Sequence, residues 1–271
     1  MRLLLVQHTA DPDPQVSRES VTAALDAALA AQPAPPDLVV LPEATQAELG
    51  TGERDLAAVA EPLDGPFAAL LADRASRWGS TVVAGMFERR GDERPWNTLV
   101  AFGPDGSLVA TYRKVHLYDA FGYAESERLS AGEPRAVTLS VTPRADGAPI
   151  TVGLLTCYDL RFPEQARALV DAGAELLVVP AAWLRGPGKE EHWQVLLTAR
   201  AIENTVYVAG VAQSGPRYCG RSIVLDPMGA VVAGLGEQEG WASADVLPAR
   251  VQQVRRTNPS LLNRRWTVVP R

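Results

Sequence analysis

A carboxylate, an ammonium and a thiol each stand directly after an apolar, β-branched run of this sequence: Glu43 after LVVLP, Lys114 after LVATYR and Cys157 after VGLLT. Such groups are costly to bury without partners, and strand ends in α/β sheets form the rim where ligands bind. Brought together on one rim, they divide the work of acyl transfer. Cys157 is then the nucleophile, Glu43 takes its proton, and Lys114 is a fixed positive charge beside the developing oxyanion. A plainer arrangement fits the same residues: a solvated Glu and Lys at strand ends and a buried cysteine. The pattern by itself does not choose between them.

The elements that must position these groups are legible from periodicity. Ile150 to Leu155 is an apolar run that reads as a buried strand, and it stops at Cys157. After a short polar turn, Pro163 and Glu164 open a segment with Ala166, Leu169 and Val170 on one face, a helix with Pro in its first turn. Upstream, RLLLVQH and DLVVLPE read as buried strands, and STVVAGMFE as a third. Helical spacing marks VSRESVTAALDAALA and GPFAALLADRASRWG. WNTLVAFG and SLVATYRK flank a PDG turn and form a hairpin. The aperiodic stretch from Val115 to Gly132 is long for a connection, which points to function. Downstream come the strand AELLVVP, a Gly/Pro-broken loop, the helix WQVLLTARAIEN and further strands to GWASADV. With no linker or repeat, residues 1–271 read as one α/β domain whose sheet is doubled into a sandwich covered by helices. Residues 247–271 have little period but carry Val251, Val254, Leu262 and Trp266, a tail expected to pack on another subunit.

Composition narrows the class. The chain has 271 residues, 46% apolar, with a net charge of −6 and no block of like charges, so nucleic acid is not an expected partner. Two cysteines without CxxC or Cys/His spacing give neither a disulfide framework nor a zinc site. The N-terminus reads as a strand and no apolar segment approaches membrane-spanning length, so a soluble cytoplasmic protein is expected.

Over nearly its whole length the chain resembles the nitrilase, or carbon–nitrogen hydrolase, superfamily. The motifs are LVVLPE around Glu43, YRKVHLYD around Lys114 and TCYDLRFPE around Cys157, supported by PAAW, HWQVLLTARAIEN and GRSIVLDPMG. The resemblance implies a single-domain α-β-β-α sandwich, a Glu43-Lys114-Cys157 triad, neither metal nor cofactor, and a homodimer or larger assembly. It implies a second glutamate as well: AESERLSAG puts Glu125 there, with Glu127 two residues away as the alternative. CYDLRFPE is most similar to amidases of ω-amides and of deaminated glutathione, whereas nitrilases proper carry C-W-E. A cysteine amidase acting through a thioester on a small carboxylate-bearing amide is therefore expected. Carbamoyl-amino-acid hydrolase or nitrilase activity, or a non-catalytic amide-binding scaffold, are the alternatives. The backbone N–H of Tyr158 would join Lys114 at the oxyanion. Arg161, in the turn before Pro163, could clasp the substrate carboxylate or pair structurally with Asp159 or Glu164, with Arg185 as the other clasp candidate. Trp183 walls the pocket or fills the core.

Other groups carry less. His8, His116 and His192 invite a Cys–His reading, but no protease-type flanking motif is present. His192 and Trp193 read as bracing, Cys219 as structural, and GPGK at 186–189 lacks the spacing of a phosphate loop.

Overall fold

The computed structural model describes residues 1–50, 55–145 and 147–270. In chain order the elements are β1 (Arg2–Gln7), α1 (Pro14–Ala30), β2 (Leu38–Val40), α2 (Leu56–Val59), α3 (Pro66–Trp78), β3 (Thr81–Arg90), β4 (Glu93–Phe102) and β5 (Leu108–Arg113). A small hairpin follows, β6 (Asp119–Ala120) and β7 (Tyr123–Ala124), and then β8 (Thr138–Val141), β9 (Ile150–Leu154), α4 (Pro163–Asp171) and β10 (Leu176–Ala181). The chain continues with α5 (Lys189–Asn204), β11 (Tyr207–Ala212), β12 (Ile223–Leu225), β13 (Val231–Gly234), β14 (Gly240–Asp245) and α6 (Pro248–Thr257).

Strand alternation explains how these assemble. In β1, Leu3 and Leu5 join one buried cluster, and Leu4 and Val6 another. In β10, Leu176 and Val178 share the cluster of Leu3, whereas Leu177 and Val179 point to a third. Strands buried on both faces must lie inside layers. Two six-stranded sheets result, ordered β14-β1-β2-β3-β4-β5 and β13-β12-β11-β10-β9-β8. They face each other across the shared cluster. Helices α1 and α3 cover the outer face of the first, with Leu25 and Leu71 in the packing; α4 and α5 cover the second through Leu169, Trp193 and Leu197. The expected α-β-β-α sandwich is present.

Each sheet has a parallel centre, β1-β2-β3 and β9-β10-β11, flanked by antiparallel strands. Because β4 is antiparallel to both β3 and β5, β5 runs the same way as β2. The residues that follow β2 and β5, Glu43 and Lys114, therefore leave the sheet at one edge.

The 37–43 run is a strand only over Leu38–Val40. One more ladder bond, Leu41 N–H to Val83 O at 2.8 Å, is made before Pro42, which has no N–H, and Ala44 turns the chain with φ 52°. This turn lies tightly on Gly85, where an added Cβ would come within 2.5 Å of the Ala44 nitrogen and 2.6 Å of the Glu43 Cα. The absence of a side chain there lets the Glu43 backbone pack on β3.

The tail departs from its sequence reading. Its first part is α6, where Val251 is buried in this chain's own inter-sheet core and Val254 is buried beside it, so these two do not need a partner's surface. Beyond it Leu262 and Trp266 are exposed, and Arg264 pairs with Asp171 at 2.8 Å. No helix among the described residues is long and apolar enough to cross a membrane.

Candidate active site

Glu43, Lys114, Glu125 and Cys157 converge in one place, all buried. The Lys114 ammonium is the hub. It donates to Glu43 Oε1 at 2.9 Å and to both Glu125 oxygens, at 3.2 and 2.9 Å. An ion so far from water survives only with charged partners, and the remaining carboxylate oxygens are also used. The Asn97 amide, from β4, donates to Glu43 at 2.7 Å and to Glu125 at 3.2 Å. The Ala182 N–H, just past β10, donates to Glu43 Oε2 at 2.6 Å, and the Tyr118 N–H to Glu125 Oε2 at 2.6 Å. Gln213 fixes the turn itself, donating to the backbone carbonyls of Glu43 and Ala44 at 2.8 and 3.0 Å.

Cys157 opens a short 3-10 turn, Cys157–Arg161, at the end of β9. Its φ of 46° is left-handed, a conformation that costs a non-glycine residue about 1–3 kcal/mol unless its surroundings hold it. Asp159 is the holder. Fully buried, it accepts the Thr156 N–H at 2.9 Å, the Tyr112 hydroxyl at 2.6 Å and the His116 N–H at 3.1 Å. His116 Nδ1 lies 2.8 Å from Asp159 as well, and the ring stacks on Phe162 at 3.7 Å. His116 thus braces the nucleophile turn and is not paired with the thiol. His8 bonds Ser20, far from this chemistry.

Environment drives the thiol and carboxylate apart. Burial and the adjacent Glu43 carboxylate push the Cys157 thiol well above the usual range, and Lys114 opposes this only in part. Burial also acts to raise Glu43, but the Lys114 ammonium, the Ala182 N–H and the Cys157 thiol outweigh it and hold the carboxyl below its usual range. Lys114 loses from burial and gains more from Glu125 and Glu43, so it stays charged far into the alkaline range. The resting site therefore sets a neutral thiol beside an ionised carboxylate, the pairing a general base requires.

Above the cluster lies a cavity of about 150 Å³ that reaches Cys157, Glu43, Lys114 and Glu125. Trp183, Tyr158 and Arg161 line it as expected, Trp183 fixed by its indole N–H to Lys189 O at 2.7 Å. Glu127 is exposed and does not enter the cavity; Glu125 is the buried member of that pair. Arg161 makes no ion pair with Asp159 or Glu164 (Asp159 is occupied as described), and among the described residues its one hydrogen-bonding neighbour is His192 Nδ1 at 3.4 Å. Arg185 is committed elsewhere, to Glu237 at 2.9 Å and Tyr218 O at 2.8 Å. Cys219 is buried with its thiol pushed up to about 12, mainly by burial, and takes no part in the cluster. Among the described residues no cluster of His, Cys, Asp and Glu could hold a metal ion.

Sequence reading missed Asn97, Gln213, Tyr118 and Lys189. For Asn97 a signal existed: Asn97 and Thr98 interrupt the otherwise apolar end of β4, and both are fully buried. The other three come from loops and a helix start whose approach to the site no local pattern encodes.

A model of the carbon-nitrogen hydrolase family matches residues 6–256. A deaminated glutathione amidase of Escherichia coli is 42% identical over 243 residues, 89% of this chain and 90% of that protein. An omega-amidase of Danio rerio is 33% identical over 238 residues, 84% and 82% of the two chains. Among solved structures, a mutant amidase of Nesterenkonia sp. AN1, with acrylamide joined by Michael addition to its active-site cysteine, superposes with a TM-score of 0.77 at 28% identity, covering 97% of this chain and 100% of that one. The chain belongs to the carbon–nitrogen hydrolase family, and it is an enzyme of the class that hydrolyses amides.

Lys114 bears on stability as well as on charge. Lys114→Met should lower unfolding free energy by about 3–5 kcal/mol, because buried carboxylates lose their counter-ion. In the wild type, Glu43 has a depressed folded pKa, so its contribution is present above the unfolded value and lost as pH falls through the folded one. Without Lys114 the sign reverses, and melting temperature should rise on acidification from about pH 8 to about pH 5. Melting curves at several pH values, with the variant parallel to wild type throughout, would remove the counter-ion role.

Proposed function

We propose that the protein is a cysteine amidase that splits small amides bearing a carboxylate at the far end, through a thioester on Cys157. The observation that carries this reading is the convergence of Cys157, Glu43 and Lys114 beneath one cavity, with the thiol held neutral, the carboxylate ionised and Lys114 clamped between Glu43 and Glu125. As Cys157 sulfur attacks the amide carbon, its proton passes to Glu43 and the carbonyl electron pair moves to oxygen. The oxyanion is held by the Lys114 ammonium and the Tyr158 N–H. Collapse expels the amine, which takes the proton from Glu43. Water then attacks the thioester, Glu43 accepts its proton, and the acid leaves as the thiol is restored. Glu125 keeps Lys114 in register and orients the water. Positioned proton transfer contributes about 10²–10⁴ in rate, and an oxyanion donor about 10²–10³. Cys157→Ser should therefore leave the fold and remove turnover. Mass spectrometry of a quenched wild-type reaction should find the acyl group on Cys157; an adduct on Cys219 would overturn the assignment.

The carboxylate at the far end is supported by Arg161. Its guanidinium faces the cavity without a carboxylate partner among the described residues, and a planar fork suits a carboxylate. The names of the two relatives support the same class. Glutaramate should be preferred to pentanamide, its neutral counterpart, and Arg161→Met should raise KM for glutaramate more than tenfold, a charge-assisted pair being worth about 1.5–3 kcal/mol. Equal losses on both amides would assign Arg161 to structure.

We also propose that the exposed stretch after α6, with Leu262 and Trp266, packs on a second copy. Light scattering should return at least a dimer at micromolar concentration, and a stable monomer would refute it.

A further inference from the structure

The cavity holds a further cation, Lys189, that the chemistry above does not use. Lys189 stands at the first position of α5, after the Gly/Pro-broken loop, and is buried at 7% exposure. Among the described residues its ammonium makes one hydrogen bond, to the Tyr118 hydroxyl at 2.9 Å. An ammonium has three donors, and no carboxylate among the described residues lies in ion-pair range of this one. The other cations of the cavity differ in this respect: Lys114 has two glutamates and Arg217 has Glu48 at 3.0 Å. Arg161 alone shares the condition, with a buried Nε that has no partner.

Lys189 and Arg161 also stand against the same rings. The Lys189 ammonium is 4.8 Å from the Phe121 centroid and 5.4 Å from that of Trp183. The Arg161 guanidinium is 5.7 and 5.0 Å from those two. Aromatic faces attract one cation, but two like charges brought together with no counter-ion repel. Such a pair suits an anion, and the burial of Lys189 and Trp183 reduces screening by water, which strengthens what binds there.

We propose that Lys189 is a specificity-determining residue whose ammonium, with the Arg161 guanidinium, forms the subsite for the substrate's distal carboxylate. The inference rests on the reading of the site as an amidase for carboxylate-bearing amides, and adds the residue that enforces it. The two cations have a second effect. They repel an ammonium placed next to that carboxylate, so an acid amide lacking an α-amino group is favoured over the corresponding amino acid.

Steady-state kinetics on glutaramate, pentanamide and glutamine test this. Lys189→Gln should raise KM for glutaramate about tenfold while kcat changes much less, and its loss on glutaramate should exceed its loss on pentanamide by a similar factor. The wild-type preference for glutaramate over glutamine should narrow in the same variant, and Lys189→Arg, which keeps the charge, should restore most of it. A second measurement needs no variant. Burial lowers the Lys189 pKa, and Arg161 adds to this, while Cys157, Cys219 and Glu190 oppose it; with Tyr118 these are the titratable and charged groups that bear on it. As pH climbs through that lowered value the ammonium is lost, so KM should rise for glutaramate and not for pentanamide. Equal losses on the two amides in Lys189→Gln, or a glutaramate KM that stays level into the alkaline range, would overturn the proposal. A wild type that does not prefer glutaramate to pentanamide would instead overturn the carboxylate reading itself.

Discussion

The site is built around one buried ammonium held between two buried carboxylates. Lys114, Glu43 and Glu125 are each almost wholly withdrawn from water, and none could remain ionised there alone. Their sum is one net negative charge, shared by hydrogen bonds from Asn97, Ala182 and Tyr118. Burial first, and then the adjacent Glu43 carboxylate, keeps Cys157 protonated at rest. A thiolate beside it would add a second negative charge to a dry site, so the proton leaves only when the attacked carbonyl gives the charge somewhere else to go.

Holding this cluster requires both sheets. Glu43, Asn97 and Lys114 come from the first, and Cys157 and Ala182 from the second. The inter-sheet core fixes their separation, since side chains such as Leu5, Val40, Val152 and Val178 interdigitate there without exposure. Where the backbone departs from easy geometry, a specific contact compensates. The left-handed Cys157 is pinned through Asp159, and the turn after β2 is seated on the bare backbone of Gly85 and tied by Gln213.

The cavity is electrically divided. Its floor carries the negative cluster, and its wall carries Arg161 and Lys189 among Tyr118, Tyr158 and Trp183. A substrate with one charged end is oriented by such a field before any hydrogen bond to the reacting amide forms. Tyr118 links the two regions, its backbone N–H on Glu125 and its hydroxyl on Lys189.

What the sequence determined was whatever repeats locally or is carried by a contiguous motif. Continuous apolar runs along β1 and β10 named the buried strands, helical spacing named the covering layers, and polar residues at strand ends singled out Glu43, Lys114 and Cys157. Periodicity reports burial, and burial is a property of each element. It does not report which elements meet. The tertiary structure alone decided that Asn97 bridges both carboxylates, that Glu125 and not Glu127 reaches Lys114, and that Val251 belongs to this chain's own core with Val254 buried beside it. It also decided that Asp159 is occupied, leaving Arg161 without it, and that Lys189, 32 positions beyond Cys157 and inconspicuous in GPGK, is carried by the start of α5 to the same two rings. Each of these is a contact between distant segments, fixed by how the sheets pack and by no pattern within either segment.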